Sequence, residues 1–422
     1  MSSKQFLNAK DSDPEVMGWM KGFPPPQDKI LSVQDGTYWS FPGLRYSVKH
    51  MEEFFPVKFV KSATENQYTV KTNLDPNITS VSFTPWDSDA KMSFIESLDT
   101  NYTDGLIIMH KGEIIYENYF AGLTQDGHHS IMSISKSFVG TIGAILVAQG
   151  LLDPQKMVID YIPELKNSAY GDATVRQVMD MTTSIQYSED YDNPKAEVWM
   201  YAESGNPFRP HTYNGPKNHC EYLQTNVKLE GENHGDCFHY KTVNSELLGW
   251  IVSRITNKDL TELVSELIWK PLGAHHDGFY VIDPAGMALA GGGLSINLRD
   301  MAMFGEMLRN NGKLNGKQVM PEAAVLDISK GGCNPEAQEL FEKGGDYPKL
   351  KGWSYRDMWW STNNSHGAYM ARGVHGQAIY IDPKAEMVIA RFASHPGASN
   401  KKLDPTSIPL YEAIADYLIN KH

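Results

Sequence analysis

The sequence predicts an α+β protein. A discontinuous domain, residues 1–150 and 280–422, is interrupted by a mainly helical insert, residues 151–279. Three observations predict it. Strand-like runs occur early, near 105–120, and late, between 368 and 393. Helical periodicity dominates the stretch between them. Turn signals join the strands within each group. A sheet built from both ends of the chain, flanked by helices, accommodates all three. At 422 residues the chain is long enough for about two or three structural units.

Residues 1–100 read as a loop-rich but packed elaboration, with Pro24-Pro25-Pro26 and scattered aromatics such as Trp19, Phe23, Tyr38 and Trp39. Leu106-Ile-Ile-Met-His, Lys111-Gly112, then Glu113-Ile-Ile-Tyr reads as a hairpin around a glycine turn. A helix follows from Ser133 to Gln149, apolar nearly all round and therefore buried. Thr174 suits the N-cap of a helix, and helices are expected at Ser245–Ile255 and Leu260–Trp269. Ser184–Gly235, rich in Asn, Pro, Gly and Tyr, reads as long loops of a functional kind. After Gly291-Gly-Gly a helix with Asp300 near its start is expected. Strands at Ala368–Met370, Ala378–Ile381 and Met387–Ala393 follow, the last two joined by Asp382-Pro-Lys-Ala. A helix from Pro409 to Ile419 completes the series.

Composition removes several function classes. Hydrophobic residues are 41% and charged residues 21%, which excludes a disordered or collagenous chain. Lys plus Arg is 38 against 51 acidic residues, a net charge of −13. Nucleic-acid binding, which needs clustered cations, is therefore not expected. Phe138–Leu152 is too short and too polar for a membrane span. The N-terminus lacks the apolar core of a secretory signal, so a cytoplasmic protein is expected. Cys220, Cys237 and Cys333 are too few for a disulfide scaffold, and a Cys220–Cys237 bridge is left open.

Common catalytic templates are absent: no Gly-x-Ser-x-Gly, Walker loop, Gly-x-Gly-x-x-Gly or His-Glu-x-x-His occurs. Ser133-Ile-Ser-Lys136 stands out. Residues three apart share a helical face, so the lysine amine can reach the serine hydroxyl. The helix N-terminus favours developing negative charge on the serine. A lysine kept from water loses basicity and can accept a proton. Alone, Ser-x-x-Lys is common by chance. Two further segments strengthen it: Phe238-His-Tyr240-Lys-Thr-Val-Asn-Ser-Glu-Leu-Leu-Gly, and Gly373-Val-His375-Gly376-Gln377 at the start of a strand.

These three motifs, in this order, resemble the serine β-lactamase-like superfamily, which includes class C β-lactamases, DD-peptidases and related esterases. Thr174–Ser184, Pro271-Leu-Gly and Gly291-Gly-Gly-Leu-Ser with Arg299-Asp300 extend the resemblance over roughly residues 100–420. Met17-Gly-Trp-Met-Lys-Gly-Phe-Pro-Pro-Pro, the Ser188-Glu-Asp-Tyr-Asp-Asn-Pro loop and Gly-x-His-Gly-Gln bring it nearest to the 6-aminohexanoate-dimer hydrolases. The resemblance implies a β-lactamase/transpeptidase-like fold with no cofactor. Ser133 would be the acylated nucleophile, Lys136 its proton acceptor and Tyr240 a proton shuttle. The backbone N–H groups of Ser133 and Gln377 would form the oxyanion hole. Tyr191 would contact the substrate amide, and Glu189 could meet a substrate ammonium. His375 and Gly376 belong to the substrate side of the third motif. His375 could contact a substrate carboxylate or only bond to its own strand.

Two departures matter. The superfamily's Tyr-x-Asn is Tyr240-Lys-Thr here, and its Lys-Thr-Gly is Val374-His-Gly. Loss of that lysine, which helps hold an antibiotic carboxylate, favours a small amide or ester as substrate. A carboxylesterase, a DD-peptidase and a catalytically silent scaffold are the alternatives, and a homodimer is left open. His219-Cys220 with Cys237-x-His239 has no standard zinc spacing, so no metal is expected. Trp353, Trp359 and Trp360 are core or cleft-wall candidates.

Overall fold

The computed structural model describes residues 6–191 and 193–421. The first five residues, Asp192 of the 188–194 loop and His422 lie outside them.

Among the described residues, a seven-stranded antiparallel sheet is the spine of the molecule. Its order is Ser354–Arg356, Trp359–Ser361, Tyr369–Gly373, Gln377–Asp382, Met387–Ala393, Thr103–His110, Glu113–Tyr119. The early hairpin thus joins the late strands through the Met387–Ala393 and Thr103–His110 pair. Leu106, Ile107, Ile108 and Met109 are all buried, as befits a central strand covered on both faces. At the hairpin, Lys111 and Gly112 both take positive φ, 52° and 83°, the geometry of a two-residue turn that matches strand twist. A second sheet runs Val57–Val60, Gly278–Val281, Leu294–Asn297, His128–Ser130. It ties the N-terminal elaboration to the body and delivers the chain to Ser133.

The helix Ile134–Ala148 is buried from Ile134 to Leu146. It packs against the helices Thr242–Thr256 and Glu322–Lys330. Contact is backbone-close at Gly140, where a methyl group would lie 2.1 Å from the Asp357 carbonyl oxygen. The helix Leu298–Arg309 covers the sheet, with Gly305 against Val388 and Ile379. Thr174 caps Val175–Met179 reciprocally with Gln177. Asp300 accepts the backbone N–H groups of His275 and His276 at 2.9 and 3.0 Å, a structural carboxylate.

Three elements differ from expectation. Ser184–Gly235 is not all loop: it holds the helices Glu197–Gly205 and His219–Thr225. They form because tertiary partners outweigh weak local periodicity. Tyr201 stacks on His219 at 4.4 Å and donates to Glu246 at 2.6 Å. Between Gly291-Gly-Gly and its helix lies the strand Leu294–Asn297. The last helix starts at Asp404 rather than Pro409, because Pro405 sits in its first turn, where proline is tolerated. All three cysteines are free thiols, so Cys220 and Cys237 are not bridged. No helix among the described residues is long and apolar enough to cross a membrane.

Candidate active site

Ser133 sits at the mouth of the buried helix, directly after Met132, whose φ of 50° turns the chain sharply. Only 8% of Ser133 is exposed. Lys136, one turn on, places Nζ 3.0 Å from Ser133 Oγ. The same amine donates to the Gly291 carbonyl oxygen. Burial pushes Lys136 down to about 8, against the opposing pull of the Glu189 and Glu246 carboxylates. A useful fraction is therefore neutral near pH 7–8 and able to take a proton.

Glu246 positions the carbonyl that Lys136 uses. Its two oxygens accept the Ala290 and Gly291 N–H groups at 3.1 and 2.8 Å. A methyl group at Gly291 would meet Thr242 at 2.4 Å and Glu246 at 2.9 Å, so only glycine fits. Sequence reasoning did not single out Glu246. Its signal was a carboxylate on a helix otherwise lined with Val243, Leu247, Leu248 and Ile251.

Tyr240 closes the constellation from the chain entering the helix Thr242–Thr256. It shares the cleft wall with Ser133, and Lys136 Nζ lies 5.3 Å from its ring centroid. Burial drives the phenol far above its ordinary range, helped by Glu189 and Tyr347 and opposed by Ser133 and Arg372. Tyr240 is a neutral O–H donor, which suits a proton shuttle rather than a permanent phenolate. Its ring leans on Trp360 at 5.4 Å, while Trp359 is core.

The third motif abuts the segment that leads to Ser133: a methyl group at Gly373 would lie 2.5 Å from the Ile131 carbonyl oxygen. Val374–Gly376 is a tight turn in which His375 and Gly376 have φ of 63° and 103°. Gln377 then opens a strand, its side chain bonded both ways to the Ala393 backbone. Val374 lines the cleft, whereas His375, Gly376 and Gln377 do not. The His375 ring is buried edge-on to Trp39 at 5.7 Å, with Nδ1 2.7 Å from the His395 carbonyl oxygen. Burial pushes it down to about 4, so it is neutral. Of the two roles open to His375, the structure supports the internal hydrogen bond.

The cleft has a volume of about 750 Å³ and holds Ser133, Tyr240, Glu189 and Tyr191 in its wall. Glu189 accepts the Thr242 N–H at the start of the helix Thr242–Thr256, and Tyr191 donates to Glu189 at 3.4 Å. Burial raises the Glu189 carboxyl, partly offset by Lys136. Three lining residues that the sequence did not flag are Tyr347, Asp346 and Arg372. Arg372 pairs with Asp404 and lies 4.9 Å over Trp360. Its Nη1 is buried without a partner among the described residues.

This fold, with a buried lysine on a serine hydroxyl and a tyrosine beside them, defines a serine hydrolase acting on amides or esters. The family model described as Beta-lactamase matches residues 96–411, and the chain belongs to that family. It is 34% identical to the 6-aminohexanoate-dimer hydrolase of Paenarthrobacter ureafaciens over 301 residues, 71% of this chain and 75% of the relative. A solved Bacillus anthracis structure, from a protein proposed to be a 6-aminohexanoate-dimer hydrolase, superposes with a TM-score of 0.82. It is 32% identical and covers 94% of this chain and 99% of its own. A family VIII carboxylesterase shares the fold at TM-score 0.58 and 17% identity, covering 83% of this chain and all of its own.

Proposed function

We infer that the chain hydrolyses a small linear amide of the 6-aminohexanoate-oligomer type through an acyl-enzyme on Ser133. The observation that carries this is the 3.0 Å contact between Ser133 Oγ and the depressed Lys136 amine. Neutral Lys136 takes the hydroxyl proton as Oγ bonds to the substrate carbonyl carbon. The oxyanion turns toward the Ser133 N–H in the cleft wall; the second donor is the Gln377 N–H, outside the lining at the start of the strand that follows Val374. Tyr240 donates its proton to the departing amine nitrogen and is reprotonated from Lys136 as the C–N bond breaks. Water then attacks the ester, giving its proton back through the same pair and its oxygen to the acid product.

Charge in the cleft supports a substrate with an ammonium and a carboxylate end. Glu189, Asp190 and Glu197 come from the 186–197 segment. Arg372 comes from the strand that leads into the third motif, and Lys401 and Lys402 from the turn before the last helix. Val374, where β-lactamases carry lysine, gives β-lactams less to hold.

Intact-mass analysis after a fluorophosphonate, p-nitrophenyl esters, anilides, linear ω-amino-acid amides and β-lactams tests both nucleophile and substrate class. The expected result is one Ser133 adduct and turnover of the linear amides. Ser133→Ala should lose both. A mutant retaining full activity removes Ser133 from the mechanism. A stable penicillin adduct would favour a DD-peptidase, ester-only turnover an esterase, and no adduct at all a silent scaffold.

A further inference from the structure

A second set of reactive donors reaches the cleft wall at His239, outside the Ser133 machinery. Cys237 and His239 immediately precede Tyr240, and Glu232 is in the loop before them. One ligand atom of each lies within 4.8 Å of the others. His239 Nε2 is 3.2 Å from Glu232 Oε2, and Cys237 Sγ is 3.5 Å from that same oxygen. Zinc binds Cys sulfur at about 2.3 Å, His nitrogen at about 2.05 Å and carboxylate oxygen at about 2.1 Å. At tetrahedral angles those bonds set an N–O edge of about 3.4 Å and an S–O edge of about 3.6 Å. Both observed edges agree to about 0.2 Å.

The outer shell fits too. His239 Nδ1 is 3.4 Å from Asp346 Oδ2. A metal-bound histidine commonly gives its other nitrogen to a carboxylate, which fixes its tautomer. Ion pairing alone accounts for the imidazole between two carboxylates. It does not account for a thiol placed 3.5 Å from one of them. The spacing concealed the set, because the other Cys-His pair is elsewhere: Cys220 lies against Met287 and His219 against Glu246.

We propose that Glu232, Cys237 and His239 form a zinc site, with water as the fourth ligand. Binding exchanges the Cys237 thiol proton, released to solvent, for a sulfur–zinc bond, with no change of oxidation state. The ion would pin the 232–237 loop to the residues that carry Tyr240.

Cobalt(II) titration of the EDTA-stripped full chain tests this. The expected result is a visible d–d band and a near-ultraviolet thiolate-to-cobalt band, saturating at one equivalent and erased by zinc. Cys237→Ser should lose the near-ultraviolet band. Glu232→Gln should weaken binding at least tenfold. Zinc should raise the melting temperature of the wild type and not of Cys237→Ser. No bands at about 100 µM cobalt, or bands unchanged in Cys237→Ser, overturn the site. Fluorophosphonate labelling of Ser133 in the metal-free protein is read separately, so failure here leaves the hydrolase reading standing.

Discussion

In the proposed mechanism Lys136 sets the pH dependence of acylation: only a neutral amine can take the Ser133 proton, and burial pushes the Lys136 pKa down to about 8. Activity on an uncharged ester should therefore rise about tenfold per unit below pH 8 and level off above it. Tyr240 stays protonated throughout, since burial lifts it well above the ordinary phenol range. Lys136→Arg keeps the charge but cannot give up a proton. It should lose roughly 10²–10⁴-fold in kcat/KM at every pH, along with the limb near 8. A wild-type profile flat through pH 8 would place the base elsewhere. Tyr240→Phe retains the ring against Trp360 and removes only the hydroxyl. We expect a roughly 10²–10⁴-fold fall in kcat with KM little changed, measured by steady-state kinetics. Ser133 and Lys136 are legible in the sequence because a spacing of three is itself a geometry. Arg372 and Glu246 are not, because their partners, Asp404 and the Ala290-Gly291 backbone, are fixed only by the fold.

The helix that carries Ser133 and Lys136 is held by close backbone contact, and its glycines separate two kinds of contact. At Gly140 an added methyl would meet the Asp357 carbonyl oxygen at 2.1 Å and Met358 Cβ at 2.7 Å. Neither can rotate away. At Gly143 the nearest atom is Met179 Cε at 3.0 Å, the end of a flexible side chain. Gly140→Ala should cost about 2–3 kcal/mol in urea denaturation and also lower kcat, by shifting the helix mouth. Gly143→Ala should cost less than about 1 kcal/mol and leave the helix mouth in place. Equal effects at the two positions would deny the contact its role. The same helix shows what sequence pattern can reveal. An all-round apolar stretch reads as buried whatever packs on it, as the Lys111-Gly112 turn reads as a hairpin whatever its neighbours. Glu197–Gly205 and His219–Thr225 lack such local signals. Their stability comes from Tyr201, His219 and Glu246 meeting across 45 residues of chain.

At the scale of the whole molecule, one buried carboxylate fastens the N-terminal elaboration to the central sheet. Asp104 on the strand Thr103–His110 is fully buried. It receives Arg45 at 3.1 Å and His129 at 3.2 Å, with Lys49 at 3.8 Å. Arg45 also reaches Ser12 and Ser394, each at 3.0 Å, so the anchor spans three distant stretches of chain. Burial alone would push the Asp104 carboxyl up. Lys49, His129 and Arg45 outweigh it and hold the group well below the usual carboxylate range. A depressed folded-state pKa adds stability that is complete above the unfolded value, about 3.9, and is lost as pH falls toward the folded one. Asp104→Asn keeps the shape but leaves Arg45 and Lys49 buried without a counter-charge. At pH 7 it should cost about 3–5 kcal/mol. The deficit relative to wild type should shrink as pH falls from about 5 toward 2. Limited proteolysis should then cut first between residues 6 and 60, the segment this charge retains. A variant within about 1 kcal/mol of wild type at pH 7, equally resistant to protease there, would mean that the elaboration is held by its apolar contacts and by the Val57–Val60 strand instead.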